Sequence, residues 1–244
     1  PFPVLVHGES GAGKELVAQL LHEVSDRAHE PYLTLNCAAF TPELLEAQLF
    51  GHAQGAFTGA GSARAGFFED AGNGTLLLDE IGEFPVHLQA KLLRVLENGE
   101  FYRIGETRVR TANARIIAAT NRDLQFEIRE GRFRQDLFHR LGVLTISVPP
   151  LRERGEDRLL LLDHFRDLYA AKVIPFTLDA AAQQRWLIYS FPGNVRELRN
   201  IVIRLGAKYP GAVVALTELE AELDSAAQSL DTSGLHALQA GEFK

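Results

Sequence analysis

Two short runs in this chain carry residue types suited to handling phosphate. Gly8-Glu9-Ser10-Gly11-Ala12-Gly13-Lys14 follows the apolar run Val4-Leu5-Val6 and precedes Leu16, Val17, Leu20 and Leu21, spaced as on a helix. A strand, a glycine-rich turn and a helix opening on lysine make a phosphate cradle. The glycines let backbone N–H groups turn inward where a Cβ would clash, and Lys14 reaches the outer phosphate oxygens as a point charge. Glu15 stands where the strict pattern has Ser or Thr. The second run is Thr75-Leu76-Leu77-Leu78-Asp79-Glu80, an apolar strand ending in two acids. In open α/β sheets ligands bind at the carboxyl edge of the strands, which is where these carboxylates fall. Asp79 suits a hydrated Mg²⁺, and Glu80 suits a general base acting on water. Taken singly, a glycine turn and an acidic turn have plain structural explanations; a lysine loop and an acidic strand end in one chain point to nucleotide.

The elements that must position these groups follow from the spacing of apolar residues. Short apolar runs alternate with amphipathic stretches over residues 1–150, which predicts a parallel sheet with crossover helices. The candidate strands are Val4–Val6, Tyr32–Asn36, Thr75–Asp79, Arg115–Thr120 and Leu144–Val148. Residues 151–212 read as a smaller, all-helical subdomain. Leu161, Phe165 and Leu168 recur at helical spacing, a second helix is expected from Asp179 to about Tyr189, and Asn194 and Glu197 have the spacing of a capping box opening a third. Residues 213–244, rich in Ala, Ser, Glu and Leu, read as a linker or tail with a weak helix.

Composition narrows the function classes. With 244 residues and 46% hydrophobic content the chain can bury a substantial core. Its 32 acidic against 25 basic residues give a formal charge of −7, which argues against this segment gripping nucleic acid by itself. The single Cys37 excludes an internal disulfide and fits a reducing cytoplasm. No apolar run approaches the ~18 residues of a membrane span. The eight histidines show no metal-ligand pattern, so no zinc site is expected. The chain opens at Pro1 with little lead-in to its first strand, which reads as a piece of a longer protein.

Gly55-Ala56-Phe57-Thr58-Gly59-Ala60 carries a more specific signal. Small residues flank one aromatic and one hydroxyl, so the loop can present Phe57 and Thr58 at a tip with little local core; exposed apolar groups of this kind mark partner sites. The six-residue motif resembles the hallmark loop of bacterial enhancer-binding proteins, the AAA+ activators of sigma-54 RNA polymerase. Leu49-Phe50-Gly51-His52, Leu78-Asp79-Glu80-Ile81-Gly82, Ala118-Ala119-Thr120-Asn121, Phe133-Arg134, Asp136-Leu137-Phe138-His139-Arg140-Leu141, Pro149-Pro150-Leu151-Arg152-Glu153-Arg154 and Pro192-Gly193-Asn194-Val195-Arg196-Glu197-Leu198 resemble the same family's blocks in the same order. The likeness covers roughly residues 3–205, and the family also has glutamate after its loop lysine.

The resemblance implies an AAA+ α/β fold with a helical lid, ATP and Mg²⁺ as ligands, and hydrolysis of ATP between subunits of a hexameric or heptameric ring. It implies that Gly8 to Glu15 and Arg196 hold the nucleotide, and that Asp79 holds the metal ion through water. Asn36 resembles a switch that restrains Glu80, Thr120 and Asn121 a sensor pair, and Arg134 and Arg140 the arginines offered to a neighbouring subunit. Gly55, Ala56, Phe57, Thr58, Gly59 and Ala60 would touch sigma-54, with Phe101–Thr111 as an accompanying second loop. Promoter or enhancer DNA would be bound through a domain outside this segment. Ala12, Ala53 and Phe191 depart from the family's usual Thr, Glu and Trp. Rival readings are a remodeller of another client, against which the 55–60 loop speaks, and a nucleotide binder with little turnover, against which Lys14, Asp79 and Glu80 speak.

Overall fold

The computed structural model describes residues 2–58 and 60–226. By its internal contacts the chain forms two units: one of the chain up to Gly8 together with Lys14–Val148, the other of Glu9–Gly13 together with the chain from Pro149.

The first unit is built on a five-stranded sheet whose strands are β1 (Val4–His7), β2 (Tyr32–Asn36), β3 (Thr75–Asp79), β6 (Arg115–Thr120) and β7 (Leu144–Ser147). All pairs are parallel, in the spatial order β2-β3-β6-β1-β7. Central strands covered on both faces need apolar side chains in succession, which explains why Leu76-Leu77-Leu78 and Ile116-Ile117-Ala118-Ala119 are continuous runs. The edge strands β2 and β7 expose more residues and alternate in type. The crossovers supply helices α1 (Lys14–Glu23), α2 (Pro42–Phe50), α3 (Phe67–Asp70), α4 (Val86–Asn98), α5 (Leu124–Arg129) and α6 (Gln135–Leu141). On α4, Leu88, Leu92 and Val95 recur at helical spacing and all face the core; Gly99, at φ +70, takes the left-handed conformation that ends the helix. Between α4 and β6 the chain makes a small antiparallel hairpin, β4 (Glu100–Phe101) with β5 (Arg110–Thr111).

The second unit holds α7 (Asp157–Tyr169), α8 (Ala180–Ile188) and α9 (Asn194–Lys208) around Trp186, Phe176, Phe191, Leu198, Ile201 and Leu205. Asp179 caps α8 by accepting from the Ala182 N–H at 2.7 Å, as expected where the helix was predicted to start. Two features differ from the sequence reading. Residues 213–226 are not a linker: the helix expected here does form, α10 over residues 216–226, but β9 (Val213–Val214) also pairs in parallel with β8 (Thr177–Leu178), and Val214, Leu219 and Leu223 are fully buried in this unit's core. Burial of three apolar side chains at spacings the composition disguised is what recruits this segment. The remainder of the expected tail lies outside the described residues. The capping box at Asn194 and Glu197 also forms only in part. Glu197 accepts from the Gly193 N–H at 2.7 Å, but Asn194 is itself the first helical residue, at φ +53, and its side chain points elsewhere.

Candidate functional site

The chemistry-bearing residues of the first unit gather at the carboxyl ends of its central strands. Lys14, the first residue of α1, is buried, and its Nζ donates to the Gly8 carbonyl at 3.0 Å. Glu15 lies exposed in the same turn. Gly8 is pinned between strands: its N–H donates to the Thr120 carbonyl at 3.2 Å, and a Cβ there would come within 2.7 Å of the Val148 carbonyl. Asp79 ends β3 and accepts from the Glu80 N–H at 3.0 Å. Glu80 adopts φ 52, ψ 48, a left-handed conformation that a non-glycine residue keeps only under the constraint of its surroundings. That turn aims its carboxylate at the end of β6, where Oε2 accepts from the Asn121 N–H at 3.4 Å. Thr120 beside it is buried, and its Oγ1 accepts from the Arg122 N–H at 3.1 Å.

Asn36 stands opposite Asp79 in the β2–β3 register. Its Oδ1 accepts from the Ala38 N–H at 2.9 Å and so caps the single turn Cys37–Ala39. The sequence expectation that Asn36 holds Glu80 is therefore not met by a hydrogen bond here: Asn36 serves its own backbone, and Glu80 meets Asn121. Burial, reinforced by the charges of Asp79 and then Glu80, pushes the neighbouring Cys37 thiol well above the usual range.

Glu9–Gly13 belong to the second unit, and there the structure shows partners that local sequence does not announce. Arg152 grips Glu9 with both ends of its guanidinium, at 2.9 and 2.6 Å, and the Asn194 amide donates to the same carboxylate at 3.1 Å. These hydrogen bonds, Arg152's first and Asn194's second, bring the Glu9 carboxyl down to about 2. Asn194 is fully buried; its Oδ1 accepts from the Leu151 N–H at 2.8 Å while its Nδ2 also donates to the Ser10 carbonyl at 3.1 Å. The Val195 N–H donates to the Gly11 carbonyl at 3.0 Å and Arg154 to the Ala12 carbonyl at 2.6 Å. Arg196 donates to Ser10 Oγ at 2.9 Å. Gly11 is required in place, since a Cβ would lie 2.4 Å from the Gly193 carbonyl. Gly13 is required by conformation, with φ +103. Sequence reading selected Arg196 but missed Arg152, Arg154 and Asn194. The available hint was that Arg152 and Arg154 follow Pro149-Pro150 as Asn194 and Arg196 follow Pro192-Gly193.

The loop at 55–60 projects from the first unit. Gly55 N–H donates to the Ala60 carbonyl at 2.8 Å, closing the loop, and Ala60 is buried at its base. Gly55 takes φ +76 and Ala56 follows it into the tip. Phe57 is 43% exposed, its ring edge-on to His52 at 5.0 Å, and Thr58 is exposed; Gly59 lies outside the described residues. The β4–β5 hairpin props this loop. The Ile104 N–H donates to the Gly51 carbonyl at 3.0 Å and the Ile104 carbonyl accepts from the Ala53 N–H at 2.9 Å, so the second loop and the base of the first share a backbone ladder. Arg134 and Arg140, on and beside α6, are exposed; Arg134 pairs with Asp136 at 2.6 Å, and Arg140 donates twice to the Leu96 carbonyl at the end of α4. Among the described residues no group of three His, Cys, Asp or Glu is placed to hold a metal ion, and no helix is long and apolar enough to cross a membrane.

A parallel sheet in this strand order, a lysine loop, an acidic strand end and a helical lid define an α/β NTPase fold of the AAA+ class. The chain belongs to the sigma-54 interaction domain family, whose model matches residues 1–147, and an AAA+ ATPase lid domain matches residues 152–235. It is 53% identical over 205 residues to the nitric oxide reductase transcription regulator NorR1 of Cupriavidus necator, covering 83% of this chain and 40% of that protein. It is 50% identical over 221 residues to the transcriptional regulator NtrC of Azospirillum brasilense, covering 90% of this chain and 46% of that one. The chain thus spans less than half the length of these curated relatives. Among solved structures, NtrX of Brucella abortus in complex with ADP superposes with a TM-score of 0.82 at 38% identity, covering 92% of this chain and 50% of NtrX. The same protein in complex with ATP gives 0.80 at 36% identity, covering 97% and 56%. A closed-state Hsp104 structure, 16% identical with a TM-score of 0.59, shares the fold alone.

Proposed function

We propose that this chain is the ATPase module of a sigma-54-dependent transcriptional activator, which hydrolyses ATP at subunit boundaries of a ring and uses the change to move the Phe57-Thr58 loop against sigma-54. In this reading residues Gly8 to Glu15 and Lys14 in particular hold the phosphates, and Arg196 reads them from the lid. The glycine conformations fit a phosphate nest, and Asp79 fits Mg²⁺, a cation that takes one carboxylate and keeps water and phosphate as its other ligands. Bound Mg²⁺ would neutralise charge on the transferred phosphoryl group. Glu80 would orient and deprotonate the attacking water, and Thr120 and Asn121 would sense it. Arg134 and Arg140 would stabilise phosphoryl charge in the neighbouring subunit. Asn36, freed from Ala38, would be available to exchange with Asn121 as the partner of Glu80. The remodelling of closed polymerase complexes into open ones would follow from the loop's stroke, in the cytoplasm.

The observation that carries this reading is the Glu80 turn: a left-handed residue at the end of β3 with its carboxylate held against the end of β6. The test compares ATP turnover and ATP binding of the unsubstituted chain and Glu80→Gln. Turnover should fall by about a thousandfold or more while binding persists. Equal phosphate release from both would remove the assignment.

A further inference from the structure

The phosphate loop carries an acid of its own, and the site would do better without its charge. Glu9 is the second residue of a loop read here as binding a polyanion, and a free carboxylate there would repel phosphate. The structure shows it spoken for: Arg152 lies 143 positions away in the chain and still meets both carboxylate oxygens, at 2.6 and 2.9 Å, while Asn194 adds a third hydrogen bond. The same partners work on the loop's backbone. Asn194 takes the Ser10 carbonyl, Val195 N–H the Gly11 carbonyl and Arg154 the Ala12 carbonyl. Among the described residues no peptide bond is cis, and in a trans peptide the C=O and the following N–H point to opposite sides. Engaging the Ser10 and Ala12 carbonyls therefore turns the Gly11 and Gly13 N–H groups away from Asn194 and Arg154.

We propose that Arg152, assisted by Asn194, is a positioning residue for the phosphate loop: it neutralises and holds the Glu9 carboxylate so that the loop presents amides, not a negative charge, to the nucleotide. This rests on the nucleotide reading above and specifies how the loop's affinity is set. Two consequences separate it from a general structural role. Loss of Arg152 harms binding through the charge it leaves on Glu9, so removing that charge repairs the defect. The harm also grows with ligand charge, so ATP suffers more than ADP.

The experiment is calorimetric titration of ATP and of ADP, each with Mg²⁺, into the 244-residue chain. It compares the unsubstituted protein, Arg152→Ala, Arg152→Lys, and Arg152→Ala combined with Glu9→Gln. Arg152→Ala should weaken ATP binding on the order of tenfold, within the range over which contacting pairs couple, and ADP binding less. The double variant should return to within about threefold of the unsubstituted chain, and Arg152→Lys, which keeps charge but loses the fork, should fall between. Recovery in the double variant shows that loss of the Arg152 side chain does not by itself unfold the chain, and the far-UV circular dichroism of Arg152→Ala should match that of the unsubstituted protein. Unchanged binding in Arg152→Ala, or a double variant as weak as the single one, would overturn the proposal. Failure of the unsubstituted chain to bind ATP or ADP would overturn the nucleotide reading itself.

Discussion

Glu69 holds Arg103 with both carboxylate oxygens, at 2.7 and 2.8 Å, and takes a further hydrogen bond from Arg110 at 2.9 Å. Arg110 in turn holds Glu106 through both oxygens. This network is three-quarters or more covered and fastens the β4–β5 hairpin to α3. Because Ile104 of that hairpin shares backbone hydrogen bonds with Gly51 and Ala53, Glu69 also sets the base of the Phe57 loop.

Glu69→Gln keeps the shape and removes the charge. Losing a partly buried, doubly held carboxylate should cost about 1–3 kcal/mol in urea unfolding. Capture of sigma-54 should fall further than ATP turnover, because the hairpin and loop loosen while the strand ends do not. Equal loss of both would count against the hairpin as the loop's support.

The pH dependence has a defined sign. Burial alone would raise the Glu69 carboxyl, but the Arg103 hydrogen bonds and the Arg103 and Arg110 charges outweigh it, leaving it below the usual carboxylate range. Glu9 is lowered to about 2. A carboxyl lowered in the folded state stabilises the fold above its unfolded value and loses that contribution as pH falls through the folded one. Thermal melts from pH 6 to pH 2 should show the unsubstituted chain converging on Glu9→Gln and Glu69→Gln at the acid end. A gap that widens on acidification would contradict the ion pairs.

Thr58→Ala should leave ATP hydrolysis within about twofold, since Thr58 is exposed at the loop tip and local surface changes are small. It should abolish capture of sigma-54 by the chain trapped with a transition-state analogue. An unimpaired complex in a pull-down would remove Thr58 from the contact.

The segment 213–226 can be tested as part of the lid core. Leu219 is fully buried, and Leu219→Ala should cost about 2–5 kcal/mol in denaturant unfolding. A chain ended at residue 212 should lose the β8–β9 pair and melt at lower temperature. Unchanged stability in both would return the segment to the status of a linker.

Much of this protein was legible in the order of its residues, because the relevant rules are local. Continuous apolar runs at Leu76–Leu78 and Ile116–Ala119 mark central strands, glycines at 11 and 13 mark a backbone that side chains cannot follow, and a Phe between Gly-Ala pairs marks a loop tip without a core. What the tertiary structure alone decided concerns polar groups with several partners in reach, near or far along the chain. Asn36 had both an amide donor and an acceptor to offer, and the acceptor went to the nearby Ala38 N–H. Asn194 looked like a helix cap, yet its burial and left-handed backbone turned its side chain to Leu151, Glu9 and Ser10. Glu9 and Arg152 carry no mutual signal at a separation of 143 residues, because electrostatic pairing depends on distance in space and leaves no period in the chain. Residues 213–226 read as a linker or tail with a weak helix; packing made them part of the core, since a few correctly placed leucines outweigh an average over composition.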